Sequence, residues 1–99
     1  MKAIRVQQTG EPEVMRLVDA PKPQPKPNEA IVKVAVAGVN SIDLYFRDGR
    51  LKAPLPFVPG QEGAGVVTEI GSAVKLVKVG DRVAWSGALG SYAEYVAAN

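Results

Sequence analysis

Apolar and polar residues alternate along this chain in short runs, with glycine or proline at the joints, a pattern of strands and turns rather than of helices. In KAIRVQQ, Ile4 and Val6 fall on one face at period two. TGEP then supplies turn chemistry, and EVMRLVDA follows as the second strand of a hairpin. In PKPQPKPNE, Pro21, Pro23, Pro25 and Pro27 each fix φ and remove a donor, which predicts an extended, solvent-facing connector rather than a polyproline ligand. EAIVKVAVAGV is the strongest strand. Val32, Val34 and Val36 line one face and Ile31, Ala35 and Ala37 most of the other, so burial on both sides is expected before Gly38 breaks the run.

The spacing changes in NSIDLYFRDG. Ser41 is positioned to cap a helical turn, Asp43 favours its N-terminal end, and Gly49 suits a left-handed stop, which together predict no more than two turns. LKAPLPFVPG is a proline-punctuated loop with few backbone donors for a sheet. AGVVTEI resumes extended structure, turns are expected at Gly71-Ser72 and Gly80-Asp81, and SYAEYVAA closes the chain as an alternating strand with Tyr92 and Tyr95 on opposite faces. The sum is a single mainly β domain over residues 1–99, a small and mostly antiparallel barrel or sandwich with one short helical turn. No alternation of strand and helix predicts a doubly wound nucleotide fold.

Composition narrows the chemistry. The chain is 46% hydrophobic and 22% charged, the balance of a globular protein, and its net charge of +2 comes from 12 basic and 10 acidic residues scattered singly. A nucleic-acid surface is therefore not expected. Cysteine and histidine are both absent, which removes disulfides, thiol nucleophiles, imidazole bases and the usual zinc ligands together. MKAIRVQQTG lacks the apolar run of a secretory signal and no segment approaches a membrane span, so the expected location is cytoplasmic, away from membranes.

GQEGAGVVTEIG sets Gly60, Gly63, Gly65 and Gly71 around one carboxylate, Glu62. After Gly63 and Gly65, a dinucleotide fingerprint needs its third glycine at position 68 and a helix opening there, but that position is Thr68 and VVTEI is strand-like. These glycines are expected to serve a bulge, a positive φ or a close approach of strands.

That stretch, extended to GQEGAGVVTEIGSAV, resembles the glycine-rich signature of the medium-chain dehydrogenase/reductase superfamily, and its GxEGAGVV form is similar to the quinone oxidoreductases related to ζ-crystallin. AGVNSIDLYFRDG, VGDRVAW and GSYAEYV agree with it in order and spacing, so the resemblance spans essentially the whole chain. It implies a GroES-like, partly open β-barrel, the N-terminal part of the catalytic domain of a two-domain reductase. The partner cofactor would be NADPH, held mainly by a Rossmann domain absent from these 99 residues, and the substrate a quinone or conjugated enone. The isolated chain is accordingly expected to be inactive. The alternative is a non-catalytic barrel that pairs through its open edge with a partner or with itself as a homo-oligomer.

Zinc-dependent relatives carry Cys where this chain has Asn40 and His where it has Gln61, so the resemblance implies a metal-free site. Glu62 then remains as a buried carboxylate accepting hydrogen bonds from backbone or an arginine. Asn40 and Tyr45 match the positions that face nicotinamide and substrate, which makes them the candidate catalytic and cofactor-binding residues. An amide offers donor and acceptor, a phenol offers a donor, and both suit the oxyanion or enolate left by hydride transfer. Their structural alternatives are a turn-satisfying Asn40 and a core-packed Tyr45. Trp85 is expected at the barrel core or rim, Arg47 and Arg50 on a solvated face, and Leu51 replaces a second cleft tyrosine of several family members.

Overall fold

A computed structural model describes residues 1–99. β1 (Lys2–Val6) and β2 (Met15–Asp19) pair antiparallel across a 3₁₀ turn at Pro12–Val14, with Val6 opposite Met15 and Lys2 opposite Asp19. This is the hairpin expected around TGEP. A second antiparallel sheet has the order β5-β4-β3-β6, built from β3 (Ala30–Ala37), β4 (Glu62–Ile70), β5 (Arg82–Ser86) and β6 (Tyr95–Ala98). One helix, α1 (Ser41–Asp48), stands between β3 and β4 in the chain.

The two sheets are joined by a corner. The Ile4 N–H donates to the Tyr92 carbonyl at 2.8 Å and the Glu94 N–H to the Lys2 carbonyl at 3.1 Å, after which the Val34 N–H donates to the Glu94 carbonyl at 2.8 Å. Residues 92–98 thus run first beside β1 and then beside β3, which turns the two sheets into one partly open barrel with β2 and β5 as its free edges. Tyr92 therefore lies on the corner and only Tyr95 in the strand, so the expectation of one continuous strand from residue 91 is corrected: backbone pairing changes partner at Glu94.

Burial follows the same geometry. Ala3 and Val6, not Ile4 and Val6, are the buried residues of β1; three apart, they lie on opposite faces, so each face of the strand is partly covered, while β2 and residues 57 and 92–94 pair along its two edges. The loop at 51–60 pairs with one of those edges: the Val6 N–H donates to the Phe57 carbonyl at 2.8 Å and the Phe57 N–H returns at 3.0 Å, so this proline-rich loop does supply a sheet rung. In β3 the expected two-sided burial holds only for Ala30, Ile31 and Val32, while Val36 is 65% exposed. β6 reaches β3 only from Ala30 to Lys33, and the cluster of Ala30, Val32, Val67 and Val96 gathers at that end. An apolar cavity of about 390 Å³ opens beside the cluster, lined by Val32, Val67, Val77, Val83 and Trp85 among others. Trp85 is a rim residue of the barrel, as expected, with its ring laid over Gly63 on the facing strand.

The proline connector forms neither helix nor strand and turns at Pro27 and Asn28. It is tethered by Lys22, whose Nζ lies 4.4 Å above the Tyr95 ring and 3.9 Å from Glu69 Oε2. At Gly65 a Cβ would run into the Lys33 carbonyl oxygen, so the β3–β4 pair closes to a distance that only glycine permits.

Candidate functional site

The site expected from Asn40 and Tyr45 is built on α1. The N-cap is Asn40 rather than Ser41: its φ of −133° and ψ of 157° are extended, and it stands three residues before Asp43 in a capping box. Its backbone N–H donates to Asp43 Oδ2 at 3.0 Å. Gly49, at φ 90°, ends the helix in the left-handed conformation after eight residues, so the expected length and stop are observed.

The helix presents an inverted pattern of faces. Asp43, Phe46 and Arg47, at i, i+3 and i+4, turn inward, while Ile42, Leu44 and Tyr45 remain exposed, Leu44 at 45% and Tyr45 at 37%. Phe46 packs edge-on to Phe57 with ring centroids 6.4 Å apart. Arg47 is not on a solvated face: its Nε donates to the Gly10 carbonyl at 3.2 Å, and the Gly10 N–H donates to the Arg47 carbonyl at 2.9 Å. These bonds fasten α1 to the turn after β1. Arg50 does reach solvent and stacks its guanidinium 5.0 Å from the centroid of the Tyr45 ring, while its Nε pairs with Asp48 Oδ2 at 3.0 Å. Outside α1, Val39 is 80% exposed, and Leu51 and Leu55 are exposed as well.

Asp43 is the buried carboxylate of the molecule, at 4% exposure. Its Oδ2 also accepts the Tyr92 hydroxyl at 2.6 Å, and its Oδ1 has no partner. Burial and the Asp43 carboxylate both push the Tyr92 phenol well above its ordinary value, because ionising it would place a second negative charge in a desolvated site. The folded chain thus favours the neutral phenol more than the unfolded chain does. The stability it contributes is complete below the ordinary tyrosine value of about 10 and is lost as pH rises past it. Urea unfolding at pH 8 and at pH 11 should show this loss in the parent, and Tyr92→Phe should have a smaller loss over the same interval. An equal loss in both proteins would remove Tyr92 as its source.

Glu62 departs from expectation. It is exposed rather than buried, makes none of the hydrogen bonds foreseen for it, and lies over Gly38, in the space a Cβ there would need. The neighbouring Gln61 is half-buried, and its carbonyl accepts the Gly87 N–H at 2.8 Å. No group of three His, Cys, Asp or Glu side chains that could hold a metal occurs in the chain. Gly63 and Gly65 lie inside β4 as barrel wall, so GQEGAGVVTEIG cradles no phosphate.

Asn40 and Tyr45 share α1 but do not converge on one atom. Five residues of helix separate them by about 7.5 Å along the axis and about 140° around it. Neither lines any of the five cavities. Sequence reasoning missed the pairing of Asp43 with Tyr92. The Asn-x-x-Asp spacing signalled the capping half of it; nothing local signalled the tyrosine, 49 residues away.

The profile described as the alcohol dehydrogenase GroES-like domain matches residues 26–99. The quinone oxidoreductase of Sus scrofa is 46% identical over 102 residues, which take in 99% of this chain and 31% of that protein. A probable quinone oxidoreductase of Schizosaccharomyces pombe is 44% identical over 93 residues, covering 93% of this chain and 28% of the relative. The structure of Escherichia coli quinone oxidoreductase complexed with NADPH superposes with a TM-score of 0.94 at 37% identity, over 98% of this chain and 30% of that one. The chain spans about 30% of the length of the relatives it matches.

Proposed function

The chain belongs to the alcohol dehydrogenase GroES-like domain family, and on that premise we propose that it is the substrate-side segment of an NADPH-dependent, zinc-independent reductase of quinones or conjugated enones. The observation that carries this reading is the exposed surface around the start of α1, where the Asn40 amide at the N-cap, the Tyr45 phenol on another side of the helix and several apolar side chains all reach solvent. A surface of that kind marks a binding site. It lies on the helix and not in a cavity, so a cleft that uses it needs an opposing wall, which a Rossmann domain would supply. The protein as a whole is read as cytoplasmic; no helix in this chain is long and apolar enough to cross a membrane.

The residues suit one end of the cofactor. Asn40 and Tyr45, beside Ile42 and Leu44, fit an uncharged planar ring with polar substituents, while the glycines of β4 are committed to the barrel wall and leave no phosphate cradle. NADPH supplies the hydride when bound. The Tyr45 hydroxyl donates to the carbonyl oxygen of the substrate and stabilises the charge that gathers there, the Asn40 amide orients the ring opposite, and the apolar side chains exclude water. Zinc independence is supported by the lack of any cysteine or histidine and by Asn40 and Gln61 standing where zinc-dependent relatives have ligands.

Replacing the matching 31% of the Sus scrofa protein with this chain tests the reading. The graft is expected to oxidise NADPH with a quinone or enone as acceptor, unaffected by chelators, and the 99-residue chain alone to show no turnover. A folded graft that binds NADPH yet reduces neither acceptor class would overturn the proposal, as would turnover by the chain alone.

A further inference from the structure

We infer that Asp43 and Tyr92 are positioning residues that act on the reaction through Asn40, an inference that rests on the proposed function for its catalytic meaning. Asp43 Oδ2 receives two donors from different parts of the fold, the Asn40 backbone N–H at 3.0 Å and the Tyr92 hydroxyl at 2.6 Å. Tyr92 is itself held on the corner between the sheets: its N–H donates to the Pro59 carbonyl at 3.0 Å, its carbonyl accepts the Ile4 N–H at 2.8 Å, and its ring fills the space beside Gly60. A continuous path therefore runs from the barrel corner through a phenol and a carboxylate to the residue that opens α1.

Helix capping alone does not account for this arrangement. A capping box uses one carboxylate oxygen to accept the N-cap N–H, and it does not require the carboxylate to be buried. Asp43 is instead almost wholly buried, and its Oδ1 has no partner, a desolvation cost that a simple cap avoids. What burial adds is contact with Tyr92. A carboxylate fixed from both sides leaves the N-cap little freedom, and preorganisation of this kind favours groups that stabilise developing charge.

Tyr92→Phe tests it, since the ring and its packing remain and only the hydroxyl goes. In the 99-residue chain, hydrogen exchange at the Asn40 amide is expected to quicken at least tenfold while the paired amides of β3 and β4 keep their protection. In the graft, the same substitution should lower kcat about tenfold with KM for NADPH and quinone within twofold, kcat being counted per folded molecule so that loss of fold does not enter it. Asp43→Asn, which retains an oxygen acceptor of the same reach, should recover much of the Asn40 protection that Asp43→Ala abolishes. Unchanged exchange at Asn40 in Tyr92→Phe would overturn the inference, and so would an active graft whose kcat is untouched. An inactive parent graft would count against the proposed function instead, and the exchange comparison would still decide whether the pair positions Asn40.

Discussion

Gly65→Ala is expected to destabilise the chain by about 3 kcal/mol, at the upper end of what overpacking costs. The added methyl would meet the Lys33 carbonyl oxygen, which is backbone in the strand paired with β4 and has no rotamer by which to move aside. Relief requires β3 and β4 to separate where their register already shifts, between Val34 and Val36. Gly87→Ala provides the contrast: at φ 82° it is strained, but nothing lies within 4 Å, so the cost should be near 1 kcal/mol. Urea midpoints measured for both variants decide the matter. A loss at Gly65 no larger than that at Gly87 would show that β3 and β4 accommodate the methyl without separating.

The second large effect is catalytic. In the graft, Tyr45→Phe and Asn40→Ser should each lower kcat/KM about 100-fold, near 2.7 kcal/mol of transition-state stabilisation and comparable to loss of one preorganised donor. Serine is the informative replacement for Asn40, because alanine would also remove the N-cap and cost about 1 kcal/mol of helix stability. Phenylalanine likewise preserves the ring under Arg50. The two side chains are set apart along and around the helix, so they touch different atoms, and the double variant should lose close to the product of the single effects. Losses within threefold in both single variants would return Asn40 to capping and Tyr45 to a surface role.

How far the site could be read in advance depended on the range of each interaction. The left-handed stop at Gly49 and the eight-residue length of α1 follow from neighbours along the chain and were legible. The N-cap lies one residue before the expected Ser41 because Asn40 and Ser41 are both good caps, and the extended backbone of Asn40 with the bond from its N–H to Asp43 distinguishes them. The identity of the buried carboxylate was reversed. The family resemblance implied a buried Glu62, whereas Asp43, on an ordinary helical turn, is the one withdrawn from water. Arg47 was placed in solvent because its partner, the Gly10 carbonyl, is 37 residues distant.

By itself the sequence determined the antiparallel strands, the turn positions, the one short helix and the exclusion of thiol, imidazole and disulfide chemistry, all set by local conformational preference or by composition. Its motifs also carried the family resemblance through to the matched profile. Tertiary structure alone decided which face of α1 turns inward. A periodic pattern reports that a helix has two faces, but the inward one is chosen by what the barrel offers it: a tyrosine hydroxyl, a phenylalanine ring and a glycine carbonyl take up Asp43, Phe46 and Arg47. Ile42, Leu44 and Tyr45 are left outside because those three contacts cannot form unless the helix is turned that way.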